Sequence, residues 1–268
     1  MNTKESGRPK FHNLRLFLLS ASALLLLTPS CKEGNRQTTE SEGESGQTTE
    51  IPEVVKPEKA LVERIDTCNL TILYPHFNKI DLACGEMPEE KDTTVIMCAA
   101  ACYTGNCLDT FMHNNIAGDH VSGGIRYKGY RSKRNTGAFI YYGGKWDFVY
   151  NNYSRALDEA AKNGGMAFAQ EMMIHNGKIM PTVRKDNNRN QFRSLCQIGD
   201  RLCIIESNEI VRFGDFKKAL LQQGVTEALY TDMGPGWNHA WYRYRTDSVV
   251  ELHPKVHDYC TNWITFYQ

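Results

Sequence analysis

The sequence predicts an α+β domain: a mixed, largely antiparallel sheet of hairpins with a few packed helices. Three observations carry this. Short apolar or alternating segments are broken by tight-turn dipeptides at Gly143-Gly144, Asn176-Gly177 and Gly199-Asp200. Only two stretches, SRALDEAAK and DFKKALLQQG, read as helices, one by its start and stop signals and the other by an apolar stripe. The hairpins and single helices interleave irregularly, unlike the alternation of a parallel α/β array.

The first thirty residues stand apart from that domain. Lys4, Arg8, Lys10 and Arg15 form a basic n-region, and residues 16–27 (LFLLSASALLLL) an apolar h-region. That run is short for a membrane span, which needs about 20 residues. TPSC then ends at Cys31, and a cysteine in this place resembles the lipobox of bacterial lipoproteins, where it becomes the lipidated N-terminus. Residues 1–30 are therefore expected to be a lipoprotein signal peptide. The expected location is the bacterial cell envelope, lipid-anchored on the periplasmic face or the cell surface.

Residues 31–59 are rich in Glu, Thr, Ser and Gly, with QTTE at 37–40 and again at 47–50. Such a composition buries too little surface to offset its ordering entropy, so a disordered tether is expected, with ends about 30 Å apart. Residues 60–268 contain no further low-complexity break and read as one domain.

Within it, TTVIMCAAACY (93–103) is a continuous apolar run, expected as a strand buried on both faces. Residues 136–151 form a hairpin around Gly143-Gly144. SRALDEAAK (154–162) is a helix with Ser154 at its N-cap, stopped by Asn163-Gly164-Gly165. MAFAQEMMI and KIMPTV flank the Asn176-Gly177 turn. FRSLCQIGDRLCIIE (192–206) is a hairpin, and residues 215–224 are a helix with Phe216, Ala219 and Leu220 on one face. A strand at 227–231 follows.

Composition narrows the function. The net formal charge is zero, and removal of the basic n-region leaves the chain mildly acidic, so nothing points to nucleic acid. Nine cysteines, less the one at the anchor, leave an even number in an exported context. If Gly199-Asp200 is a two-residue turn, Cys196 faces Cys203. Directly opposed Cβ atoms lie about 5 Å apart, slightly wide for a relaxed bridge, so a disulfide and two buried thiols both stand open. Cys98, Cys102 and Cys107 lack the paired CxxC spacing of a zinc site, so no metal is expected, and no cofactor is implied. His253 and His257 are four apart, but Pro254 argues against a ligand helix.

The chemistry concentrates in TEALYTDMGPGWNHAWYR (226–243), where an apolar strand delivers Asp232 into a turn of Gly234, Pro235 and Gly236, followed by Trp237, Asn238 and His239. The order of elements is arginine, hairpin, acid, helix, glycine stop, strand, aspartate, glycine turn. Together with QEMMIHNGKI at 170–179, it resembles the phosphodiester glycosidases related to the mammalian uncovering enzyme, which acts on N-acetylglucosamine-1-phosphodiesters. The resemblance spans about residues 90–245. It implies hydrolysis of a sugar-1-phosphodiester, with Arg193, Glu206 in CIIES and Asp232 at the family's arginine and acid positions. The implied ligand is a glycan or sugar phosphate.

Each residue type suits that chemistry. Cleavage at the sugar C1 develops oxocarbenium-like charge, which a carboxylate such as Asp232 stabilises or meets with an activated water. A guanidinium such as Arg193 forks onto phosphate oxygens. Gly234 and Gly236 permit close backbone approach. Trp237 and Trp241 offer sugar-stacking faces, His239 a proton carrier, and Gln170 or Glu171 a pocket group. Met233 and Pro235 depart from the family's all-glycine turn, which motivates an alternative: a non-catalytic glycan-binding surface lipoprotein using the same cleft.

Overall fold

A computed structural model describes residues 59–105, 110–234, 236–253 and 259–268, all within one compact unit, Val55–Gln268. The signal peptide, Cys31, the tether up to residue 58, Cys107, Pro235 and His257 lie outside the described residues.

The domain is mostly β, which corrects the α+β expectation. Four antiparallel sheets dominate, and only two α-helices occur among the described residues: α1, Ser154–Lys162, and α2, Phe213–Gln222. The physical reason lies in the short apolar runs outside the expected hairpins. Val62–Asp66, Leu70–Pro75, Lys79–Cys84, Ala240–Arg245 and Asn262–Tyr267 all become strands; Val62–Asp66 pairs with the adjacent Leu70–Pro75, and the other four each pair with a strand distant in sequence.

The largest sheet has seven strands in the order Val62–Asp66, Leu70–Pro75, Arg201–Ser207, Arg193–Ile198, Val225–Thr231, Met172–His175 and Lys178–Ile179. A five-stranded sheet runs Ser248–Glu251, Ala240–Arg245, Val95–Ala100, Asn262–Tyr267, Lys79–Cys84. A second five-stranded sheet runs Ile125–Tyr127, His120–Ser122, Met166–Gln170, Gly137–Tyr142, Lys145–Tyr150. Arg189–Asn190 and Val211–Arg212 make a two-stranded ribbon.

One apolar core draws Leu73, Leu195 and Leu229 from the seven-stranded sheet, and Ile96 and Phe266 from one five-stranded sheet. Phe139 and Phe168 join it from the other. Burying each such side chain contributes about 2 kcal/mol. Helix α2 presents Phe213, Phe216 and Leu220 to a second cluster with Phe192 and Tyr230. Helix α1 buries Leu157 and Ala160. Ser154 is the first residue of α1 rather than its cap; Tyr153 holds the cap position with no side-chain hydrogen bond, and the Ser154 hydroxyl accepts from Arg126 instead.

The turns follow their dipeptides. Gly143 and Gly144 both have positive φ, as do Asn176 and Gly177, the conformation that matches hairpin twist. The Gly199-Asp200 turn sets Ile198 against Arg201, Gln197 against Leu202 and Cys196 against Cys203. The opposed cysteines are nonetheless free, and no disulfide occurs among the described residues. Cys203 Sγ instead donates to the Cys196 carbonyl at 3.7 Å, and Cys196 Sγ lies 3.0 Å from Ser194 Oγ.

Candidate functional site

Arg193 opens the first strand of the 193–207 hairpin and faces Glu206 on one neighbour and Thr231 on the other. Directly opposed residues share one face of a sheet, so Glu206, Arg193 and Thr231 form a polar row, continued by Thr71 opposite Glu206. The return of the Val225–Thr231 strand beside the hairpin, after α2, therefore delivers Asp232 next to Arg193, as the sequence predicts. The Asp232 N–H donates to the Ala101 carbonyl at 2.9 Å, tying this end of the seven-stranded sheet to the end of Val95–Ala100.

The arrangement is more closed than an open cleft. Arg193 is 0% exposed, Glu206 5% and Asp232 7%. Arg193 Nε donates to Glu206 Oε1 at 2.5 Å and Nη2 to the Asn238 carbonyl at 2.7 Å. Its Nη1 has no hydrogen-bond partner among the described residues. Arg193 therefore has its Nε and one Nη2 donor engaged within the protein, while Nη1, with two N–H groups, is uncommitted. Glu206 Oε2 lies 2.8 Å from His253 Nε2. Burial alone would raise the Glu206 carboxyl, but the Arg193 charge and the hydrogen bonds with His253 and Arg193 outweigh it and hold the group below the usual range.

Asp232 behaves in the opposite sense. Burial pushes its carboxyl up to about 7, against the lowering effect of the Met233 and Thr104 N–H groups and the charges of Arg184 and Arg193. A carboxyl poised there exchanges protons at neutral pH.

Gln170 and Glu171 are both fully buried. The Gln170 side-chain carbonyl accepts from the Glu171 N–H at 3.0 Å, and Gln170 Nε2 is without a partner among the described residues. Glu171 Oε1 accepts from the Arg184 N–H at 2.9 Å, while Oε2 sits 3.8 Å from Arg184 Nε. Arg184 Nη2 donates to Tyr103 Oη at 2.9 Å, and the guanidinium lies 4.7 Å from the centre of the Tyr230 ring, itself stacked on Tyr103. Arg184 Nε and Thr231 Oγ1 are further buried polar atoms with no partner among the described residues.

The glycine turn closes over this row. Gly236 has φ +90°, and a Cβ there would meet the Tyr259 ring at 2.3 Å, so no other residue fits. The Trp237 and Asn238 N–H groups both donate to the Gly234 carbonyl. Trp237 is half-buried and packs 5.3 Å from Tyr259. Trp241 is core, clustered with Trp263, and offers no face to a sugar. His239 Nδ1 donates to the His253 carbonyl at 3.3 Å.

Two cavities border these groups. Tyr130, whose phenol is raised by burial and by the Asp232 carboxylate, lines one of about 590 Å³ with Arg126, Arg131, Lys133 and Asn135. Glu206 and His253 line another of about 380 Å³ with Arg64, Gln191 and Asn208. Sequence reasoning missed Arg184, Tyr103 and the His253–Glu206 contact. The only signals were the basic pair Arg184-Lys185 after a hairpin and the discounted His253 motif. Elsewhere, Cys84, His113 and His120 bring potential metal-ligating atoms within 4.8 Å of one another.

Residues 111–232, less than half of the chain, match the model of a Helicobacter outer membrane protein family. No curated protein sequence matches the chain. Among solved structures the chain is similar to the catalytic domain of zebrafish N-acetylglucosamine-1-phosphodiester alpha-N-acetylglucosaminidase, auto-inhibited by its pro-peptide. That likeness has a TM-score of 0.53 at 10% identity, over 77% of this chain and 81% of that one. A hypothetical protein from Synechocystis is similar with a TM-score of 0.48 at 10% identity, over 77% of this chain and 61% of that one. The first likeness shows a shared fold.

Proposed function

We propose that the protein is a cell-envelope hydrolase of sugar-1-phosphodiesters, cleaving the glycosidic bond of an N-acetylglucosamine-like substrate. One observation carries the reading. Two guanidinium groups, Arg184 and Arg193, each hold a buried N–H without a partner among the described residues, beside a carboxyl that titrates near neutrality. An uncompensated buried donor costs about 1–3 kcal/mol, which an anionic phosphate oxygen removes on binding.

In this reading Arg184 Nε and Arg193 Nη1 receive the phosphate oxygens, and Glu206 with Asn238 holds Arg193 in place. Asp232, as the carboxylate, takes a proton from water as the water oxygen bonds to C1. The C1–O bond breaks with its electron pair leaving on the phosphate monoester. Gln170 and Glu171 supply hydrogen bonds to the sugar, with Gly234, Gly236, Trp237, Asn238 and His239 forming the loop above it. The shared fold with the zebrafish N-acetylglucosamine-1-phosphodiester alpha-N-acetylglucosaminidase supports the substrate class. The matching outer membrane protein family supports the envelope, and the apolar run ending at Cys31 supports a lipid anchor there.

A glycan-binding role without turnover is favoured by one feature: Glu206 and Asn238 already occupy two of the Arg193 donors. Both roles are separated by assaying sugar release and binding on one preparation, using α- and β-linked N-acetylglucosamine-1-phosphodiesters. Hydrolysis is expected, abolished in Asp232→Asn with binding retained, and Arg184→Ala is expected to weaken binding of phosphate-bearing ligands more than of neutral sugars. Saturable binding with no released sugar in the unaltered protein would establish the binder instead.

A further inference from the structure

We propose that Cys84, His113 and His120 form a binding site for one borderline transition-metal ion of the zinc class, which clamps the two five-stranded sheets together. Cys84 ends the strand Lys79–Cys84 of one sheet, and His120 begins the strand His120–Ser122 of the other. His113 comes from the 3₁₀ turn His113–Asn115 between them in sequence. The sheets already touch at this point, where Ser122 Oγ donates to the Leu82 carbonyl at 2.7 Å.

The geometry is close to what coordination requires. His113 Nδ1 and His120 Nε2 are 3.0 Å apart, and the three ligand atoms all lie within 4.8 Å of one another. Zinc–nitrogen bonds of about 2.0 Å and a zinc–sulfur bond of about 2.3 Å place tetrahedral ligand atoms roughly 3.3–3.6 Å apart. Small side-chain adjustments therefore suffice. Orientation is set from outside the cluster as well. His120 Nδ1 donates to the Gly118 carbonyl at 3.2 Å, which keeps its proton there and turns the Nε2 lone pair toward the other two residues. The His113 ring is fixed between Tyr127, stacked at 3.3 Å and 8°, and the edge of Phe111.

The donor set selects the ion. One thiolate and two imidazoles suit zinc and its neighbours, whereas calcium and magnesium take oxygen ligands. Three protein ligands leave a fourth position for water. On binding, the Cys84 thiol releases its proton to solvent, and His113 carries its proton on Nε2 so that Nδ1 can ligate. The site lacks CxxC spacing because its three ligands come from two sheets and a turn.

The test is titration of the metal-free full-length protein with Co(II), followed by Zn(II). One ion per chain is expected, with an intense near-ultraviolet thiolate-to-cobalt charge-transfer band that Zn(II) abolishes. Zn(II) should also raise Tm. Cys84→Ser should lose the band, and His113→Gln should weaken binding by more than about 10-fold, with unchanged circular dichroism in both. Cys68→Ser, an exposed cysteine elsewhere, should retain the band. A folded protein with no charge-transfer band, or a band kept at full strength in Cys84→Ser, would overturn the proposal and leave a plain His113–His120 hydrogen bond.

Discussion

Arg193 and Glu206 face each other across a hairpin as a fully formed ion pair, Nε to Oε1 at 2.5 Å, with the guanidinium wholly removed from solvent. Removing one partner of such a pair leaves an uncompensated buried charge, at a cost of about 3–5 kcal/mol, whereas apolar replacement of both is often close to neutral. Glu206→Gln is therefore expected to destabilise the protein by that amount. The double variant Arg193→Met/Glu206→Leu should recover most of the loss in urea unfolding. Simple addition of the two single-variant effects would show that the groups act independently.

Asp232 makes stability depend on pH. Its carboxyl ionises near 3.8 when exposed and at about 7 in the fold. Between those values the folded state keeps a proton the unfolded chain has lost. The stabilisation is thus fully present below about pH 4 and disappears as pH rises to about 7, a change on the order of 4 kcal/mol. Asp232→Asn should flatten that slope and raise Tm at pH 8, as read from melting curves between pH 4.5 and 8. A slope unchanged in the variant would assign the dependence to another group.

Cys196 and Cys203 should behave as inert thiols rather than as a bridge. Burial pushes Cys196 up to about 12 and Cys203 well above its ordinary value, so little thiolate exists in the folded state. Iodoacetamide should leave both untouched in the native protein. It should modify both after denaturation without reductant, as seen by peptide mass. A linked Cys196–Cys203 peptide in the unreduced digest would contradict the free pair.

Local features were legible because local rules govern them. The Gly199-Asp200 turn set every pairing back to Arg193 and Glu206, and the Asn176-Gly177 turn and both helices stand within two residues of their expected positions. The adjacency of Arg193 and Asp232 followed from one crossover connection. The balance of helix and sheet did not, because strands such as Asn262–Tyr267 find partners far away, at Lys79–Cys84 and Val95–Ala100. The same non-locality hid Arg184, whose partners Tyr103 and Tyr230 lie on distant segments, and hid the closing of the Arg193 guanidinium by Glu206 and the Asn238 carbonyl. Ser154 misled for a related reason: a long-range arginine claims its hydroxyl before the helix can.

The polar row through Glu206, Arg193 and Thr231 has a bearing on the protein's synthesis. Its members, with Tyr103, Glu171, Arg184, Asp232 and His253, are scattered over more than half of the sequence and meet only once segments distant in sequence have packed together. A chain growing from its N-terminus owns the arginines long before it owns Asp232 and His253. The charges of the row are therefore assembled late, and products truncated before Asp232 carry the two arginines without the carboxyl that comes to lie beside them.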